Sequence, residues 1–494
     1  MNNPPKIYED KLHSAWQSQS FTKKLKTLTG DEITVLDAGS KNEDTAGPDF
    51  KNARIRIGNL IYVGDIEIDC EYEHWKLHGH NIDSKHNKVI LHASLINKQN
   101  QHYVYTKDGR RVPTICLSRF LESDFHYKYS QDATVKNKLN NNCNLKCSFA
   151  ADKLEYDIKR KFVSKLGIER FKKKCERVFA RLKEITYLHQ LSIHEPVIKY
   201  DMRSDFDNRE FKPQDFKDKI IWQQLFYEMI FEALGYSKNK SIMLSLAQAV
   251  NFNVFTKLGN DGEFVERVES LLFNASGLMP DVSNLPESEY SIYTKRLAEN
   301  WENLSRIYDG QTFNEADWHF FKLRPQNFPT VRLAGGVRII DAIIHKNLIE
   351  TIIKRFEDVN NLEVLIRILR SSFVIKSDGY WRNHYIFDQP SKEGVKYFIG
   401  VSRADELVIN VILPVFSVYF DIFGKEELSR KCLKIYNIYQ QKSDNKIIRE
   451  VAECLKTPEF LKKTMLSQGM LELFRNYCSK QRCLECEIGK IVFN

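Results

Sequence analysis

Apolar and polar residues alternate most regularly near the front of the chain, in ARIRIGNLIYVGDIEIDC, where Ile55 and Ile57 interleave with Arg54 and Arg56. A period of two is that of a half-buried strand, so this stretch predicts two strands joined around Gly58 and Asn59. Upstream, Leu12, Trp16, Leu25 and Leu28 recur at helical spacing and predict a front helix over residues 8–28. EITVLDAG at 32–39 predicts a strand ended by Gly39, and the polar run SKNEDTAGPD predicts a loop. Beyond the WKLHGHNID loop, KVILHASLI predicts another strand, and RRVPTICLSRFL closes the block. Residues 1–122 thus form an expected α/β unit in the order helix, strand, hairpin, strand.

The period then lengthens. Residues 123–214 predict a mixed, partly helical connecting region, polar and Lys-rich at first, with an amphipathic helix over LGIERFKKKCERVFARLKEI. From IIWQQLFYEMIFEALGY onward, residues 215–477 predict a mainly helical accessory region, and residues 478–494 a cysteine-rich tail. No repeat of solenoid length is present. The most apolar run, ELVINVILPVFSVYFDIF at 406–423, contains Pro414 and carries charges at both ends. It predicts a buried or amphipathic helix rather than a membrane span. The first residues show no basic segment followed by an apolar stretch, so the expected location is cytoplasmic, with no membrane partner.

Composition changes this picture little. Apolar residues make up 42% of the 494, which excludes a mostly disordered protein. The 74 basic and 65 acidic residues leave a formal charge of +9, which permits a nucleic-acid partner without demonstrating one. Neither a GxxxxGK[ST] phosphate loop nor a dinucleotide fingerprint occurs, which argues against an ATPase or a nicotinamide enzyme.

The candidate chemistry lies in the hairpin. On a strand, Asp65, Glu67 and Asp69 share one face, and three like charges tolerate one another only if that face is wet or closes around a cation or basic side chain. A solvated sheet face is the plain reading, and Asp65 is expected to face solvent. Asp49, in the turn Gly47-Pro48-Asp49, and Glu67 are candidate ligands for Mg²⁺ or Mn²⁺, with Asp69 as a third ligand or a supporting acid. His78 and His80 are candidates for proton transfer to or from a phosphodiester, or for zinc binding together with the carboxylates. Trp75 is expected to anchor the core, and His92 to be packed and hydrogen-bonded within its strand.

This arrangement resembles the PD-(D/E)xK nuclease superfamily, with Pro48-Asp49 as the first motif and Glu67-Ile68-Asp69 as the second; the superfamily's lysine is replaced by Asp69. Pro48-Asp49-Phe50 and the segment Trp75 to His80 are similar to the core of the very-short-patch mismatch-repair endonucleases. That resemblance implies Asp49 as a metal ligand and His78 or His80 as the proton-transfer group. Over nearly its whole length the chain resembles a bacterial family catalogued as domain of unknown function 2851, through NEDTAGPDFKNARIRIG, VGDIEI, WKLHGH, LLFNASGL, FFKLRPQNFPTVRLA and YCSKQRCLECEIG. The fold expected is therefore an α/β N-terminal nuclease-like unit followed by a mainly α-helical region.

Within the helical region, Arg324, Asn327, Arg332 and Arg382 are candidate nucleic-acid contacts, since guanidinium groups bind phosphate bidentately. The alternative is that they tie helix connections together. Cys478, Cys483 and Cys486 offer three soft ligands for zinc, with a fourth from Cys143, Cys147 or a distant His; an iron–sulfur cluster is the alternative. The leading functional expectation is a metal-dependent DNA or RNA endonuclease whose helical region positions substrate or a protein partner. A catalytically inactive nucleic-acid-binding scaffold and a different metal hydrolase are the competing readings.

Overall fold

The computed structural model describes residues 7–42, 47–121, 145–192, 206–320, 323–441 and 445–493. Two compact units divide the chain: residues 1–140 with 316–328, and residues 141–315 with 329–494.

The first unit mixes strands and short helices, as expected. Helix α1 spans Ile7–Ser18 and is followed by strands β1 (Leu25–Lys26), β2 (Glu32–Asp37), β3 (Ser40–Lys41), β4 (Phe50–Ile57) and β5 (Leu60–Glu71). A single-turn helix α2 (His74–Leu77) precedes strands β6 (Val89–Ile96), β7 (Tyr103–Tyr105) and β8 (Arg111–Cys116). The eight strands form one sheet in the order β1-β2-β4-β5-β6-β8-β7, with β3 beside β4. The β4–β5 hairpin is antiparallel, whereas β5–β6 and β6–β8 are parallel.

Two expectations are corrected here. The front helix stops at Ser18, because Gln19 takes a left-handed φ of 51° that helical backbone does not accommodate. Leu25 is still buried, but it pairs with Ile33 in the sheet instead of extending the helix. The hairpin face is also dry: Asp65 is 8% exposed and accepts a hydrogen bond from the Asn52 amide at 3.0 Å. Asn52 has a left-handed φ of 56°, and the β4–β5 register shifts between Phe50 and Ala53, so Asp65 satisfies a backbone donor that the bulge takes out of the ladder.

One face of the sheet builds an apolar core from Phe50, Ile55, Ile66, Ile68, Leu91 and Ala93 against Leu12 and Trp16 of α1. Alternation then sends Glu67 and Asp69 to the opposite face, where register pairs Glu67 with His92 and Asp69 with Ser94.

The second unit is mainly helical. Its longest helix, Tyr156–Gln190, packs closely on Thr464–Leu473 through two glycines: a Cβ at Gly469 would lie 1.9 Å from the Val163 carbonyl oxygen, and one at Gly167 would lie 2.3 Å from that of Met465. The helix Lys219–Leu234 is buried on nearly every side, with Asp218 capping it through the Ile220 amide at 3.0 Å. The apolar run at 406–423 is buried too. It is a helix broken by a π-turn at Val408–Ile412, just before Pro414. No described helix is long and apolar enough to cross a membrane.

The parallel β5–β6 contact leaves no room for a side chain at Gly64, where a Cβ would lie 2.5 Å from both the Lys88 carbonyl oxygen and Ile90 Cγ2. Gly64→Ala is expected to destabilise the first unit by about 1–3 kcal/mol through overpacking. Hydrogen exchange in the β5 and β6 peptides should rise; unchanged protection there would contradict the packing described.

A histidine and carboxylate centre on the polar sheet face

The chain leaves β5 through the single turn of α2, which buries Trp75 to 1% exposure and ties its Nε1 to the Tyr105 carbonyl at 3.0 Å. Gly79 then reverses direction with φ at 82°, a conformation that glycine adopts without steric cost. The His80 amide returns to the Trp75 carbonyl at 2.9 Å. A short helical turn at Ser84–His86 follows, capped by Asp83, whose Oδ1 accepts the Lys85 amide at 3.0 Å. These local devices bring His78, His80 and His86 back over Glu67, Asp69 and His92. The Trp75 ring lies 5.2 Å from the rings of both His80 and His92 and 6.0 Å from that of His86.

The cluster is tight. His80 Nε2 lies 3.2 Å from Glu67 Oε1 and 3.8 Å from Asp69 Oδ2, while His80 Nδ1 is 2.8 Å from His86 Nε2. His92 Nε2 is 3.1 Å from Asp69 Oδ2, His78 Nδ1 is 3.3 Å from Asp69 Oδ1, and His86 Nδ1 is 3.5 Å from Asp83 Oδ2. Glu67 and Asp69 are each 1% exposed and His80, His86 and His92 are 0% exposed, so only His78 keeps a partly open edge.

Electrostatics fixes the protonation pattern. Burial would raise the Asp69 carboxyl, but hydrogen bonds from His78 and His92 overcome it and hold the group well below its usual range. Burial, together with neighbouring His86, pushes His80 well below the ordinary imidazole value, so it stays neutral with a lone pair to donate. Asp83 is lowered as well: burial opposes ionisation, and the hydrogen bond from His86 prevails.

Neutral imidazole and ionised carboxylate together are the donors of a divalent-metal site. Two overlapping sets bring their ligand atoms within 4.8 Å of one another, Glu67 with His80 and His86, and Asp69 with His78 and His80. Asp69 Oδ1 and Asp83 Oδ2 are buried, and the histidine nitrogens that face them stand off at 3.3 Å and 3.5 Å. These donors fit a divalent ion, which would offset the buried negative charge.

Of the residues expected from sequence, Glu67, Asp69, His78 and His80 come together here. Asp49 lies one hydrogen bond further out. Its carboxylate accepts the Ile68 amide at 2.9 Å and meets His13 Nε2 at 3.2 Å, and its own amide donates to Glu67 Oε2 at 3.2 Å. His86, Asp83 and His13 carried no expectation, and His92 was expected only to pack. The parity of His92 with Glu67 across β5–β6 and the Asp83-x-x-His86 capping turn are the signals that would have identified them.

The remaining candidates lie elsewhere. Arg324 is exposed and Asn327 half-buried on the segment that belongs to the first unit, where His319 Nδ1 also meets Lys85 Nζ at 3.4 Å. Arg382 is exposed in the second unit. Arg332 is buried there, with one guanidinium nitrogen on the Phe398 carbonyl and another 2.6 Å from the Tyr236 hydroxyl.

The cysteine expectation is corrected. Cys143 lies outside the described residues. Cys147, Cys478 and Cys486 pack in an apolar core with Phe162, Leu466 and Ile488, and no compact donor set among the described residues includes a cysteine. Zinc or an iron–sulfur cluster at the tail is therefore unsupported. These thiols act as small apolar groups whose ionisation is suppressed.

A scan against protein families matches residues 9–199 and 213–487 to the family described as Protein of unknown function (DUF2851). The chain belongs to that family. No curated protein and no solved structure matches it.

For Cys478, burial together with neighbouring thiols pushes the group up to about 12 from 9.0. A thiol raised in the folded state contributes stability that is complete below the unfolded value and lost as pH rises through the folded one, here from 9.0 towards about 12. In native protein at pH near 9, alkylation mapped by mass spectrometry should be slow at Cys478, and chelator should leave it slow. Rapid alkylation released by chelator would instead reveal a bound metal.

Proposed function

We propose that the first unit is a divalent-metal centre for phosphodiester hydrolysis, acting on DNA or RNA. Glu67, Asp69, His80 and His86 hold the metal, Asp49 positions Glu67, and His78 moves a proton at the open edge. The observation that carries this reading is the pair of buried carboxylates on one strand, faced by four histidines, His78, His80, His86 and His92, whose ring nitrogens lie within 4 Å of carboxylate oxygens. A bound divalent ion would polarise a phosphate and lower the pKa of an attacking water. The imidazole majority favours Mn²⁺ or Zn²⁺ over Mg²⁺, which prefers oxygen and water.

The order of elements also supports the nuclease reading: helix α1, three long strands β2, β4 and β5 in antiparallel sequence, then parallel β6. Exposed Arg324 and Arg382, with Asn327, are the proposed phosphate contacts, whereas Arg332 acts by ordering Tyr236.

A second reading rests on one specific observation. Glu67 and His80 are closed off from solvent, which is the geometry of a metal site that stabilises a fold, so the unit would be an inactive nucleic-acid-binding scaffold.

Cleavage assays with Mn²⁺, Zn²⁺ or Mg²⁺ on single-stranded DNA, duplex DNA, mismatched duplexes and structured RNA decide between them. Glu67→Gln and Asp69→Asn should each lower turnover by about 100-fold or more and reduce bound metal. His78→Ala should lower turnover by about 10-fold to 1,000-fold while metal content stays near wild type. Wild-type cleavage that persists in folded Glu67→Gln protein overturns the site. Metal-loaded wild type that cleaves nothing supports the scaffold.

A further inference from the structure

The second unit contains a cavity of about 750 Å³ whose charge is unbalanced: seven Lys and Arg side chains line it against three glutamates. Each glutamate is already engaged. Glu472 pairs with Arg170 at 3.1 Å and with Lys173, Glu232 with Lys240 at 3.3 Å and with Arg177, and Glu406 with Arg403 at 2.5 Å. Two cations remain. Among the described residues, Lys174 Nζ donates to neutral amides, at 2.7 Å to Asn410 Oδ1 and 3.0 Å to Gln468 Oε1, and lies 5.4 Å from the centre of the Tyr436 ring. Arg475 is exposed on its π-turn and has no salt bridge among the described residues.

Both π-turns among the described residues open onto this cavity. Val408–Ile412 supplies Asn410 and Val411, and Phe474–Cys478 supplies Arg475. A π-turn sacrifices regular helical hydrogen bonding to redirect side chains, and such turns are frequent at binding sites. The close helix pairing through Gly167 and Gly469 holds Arg170 and Lys174 opposite Gln468 and Glu472. Tyr236 also lines the cavity, and Arg403 sits 3.2 Å from the centre of its ring.

Burial pushes the Lys174 ammonium well below its usual range, with nearby Arg170 adding to the effect. Such a group lowers the stability of the empty fold, and an arriving anion relieves that cost. The volume lies in the range of small-molecule sites.

We propose that this cavity is a binding site for a compact polyphosphate anion, either a nucleotide or an inorganic oligophosphate, held by Lys174 and Arg475. This inference goes beyond the metal-centre reading and rests on none of its residues.

Calorimetric titration of full-length protein with inorganic tripolyphosphate, and separately with ATP, tests it in about 150 mM salt, where exposed charges are screened. Saturable binding at one site is expected, weakened about 10-fold or more in Lys174→Met and in Arg475→Gln, as for loss of a charge-assisted hydrogen bond. Lys174→Met should also melt no lower than wild type without ligand, since it removes a strained charge; a purely structural lysine would give a lower melting temperature. Equal affinity for the two ligands assigns recognition to the phosphates, and tighter ATP binding adds the nucleoside. Glu67→Gln protein should bind as wild type does. Absence of saturable binding to folded wild type, undiminished affinity in both cavity variants, or loss of binding in Glu67→Gln overturns the proposal.

Discussion

Two carboxylates on adjacent inward positions of one strand, Glu67 and Asp69, are each 1% exposed, and the polar side of the first unit is organised around that fact. An isolated buried carboxylate is costly enough that it normally takes up a proton or acquires a partner. Here hydrogen bonds from His78 and His92 keep Asp69 ionised. His80 takes the opposite course and stays neutral because burial and His86 disfavour a second charge. The result is a compact set of neutral imidazole and anionic carboxylate donors, closed on one side by the Trp75 ring. Removing Trp75 or reshaping the Gly79 turn would therefore disturb the histidines before it disturbed the sheet.

Much of this unit could be read from the chain. The β4–β5 hairpin, the β6 strand and the convergence of Glu67, Asp69, His78 and His80 follow from period-two alternation and from two histidines flanking a glycine. What the sequence did not disclose was whether the acidic face would be wet or dry, since alternation gives the parity of a side chain and not what covers it. The covering depends on non-local pairing: the parallel β5–β6 register brings His92 beside Glu67, and the capped turn at Asp83 delivers His86. The overlong front helix failed for a related reason. Leu25 kept the apolar spacing because it is buried in the same core, but a strand contact buries it.

The cysteine tail shows the reverse case, in which a local pattern promised chemistry that the three-dimensional arrangement does not support. Close spacing of Cys478, Cys483 and Cys486 specifies proximity along the chain only. A metal also needs the sulfurs to converge in one compact donor set, and none among the described residues includes a cysteine; without a metal, burial holds Cys147, Cys478 and Cys486 towards the protonated form. In the hairpin, the same low-dielectric burial acts on donors that are already complementary, anionic carboxylates beside neutral imidazoles, and there it concentrates binding capacity instead of suppressing it.

The helical unit reaches a similar imbalance with the opposite sign. Its long helix and the helix Thr464–Leu473 could approach at an ordinary distance with side chains between them. Gly167 and Gly469 instead bring them close, and the two π-turns give up regular helical geometry around the same cationic cavity. A helix pair selected for stability alone would place an apolar residue where Lys174 stands, because replacing a poorly compensated charge that is out of water with an apolar group is commonly neutral or stabilising. Retaining the Lys174 ammonium among neutral amides is a cost to the empty fold. That cost has a physical purpose when the missing negative charge arrives with a ligand, as the missing positive charge would at Glu67 and Asp69.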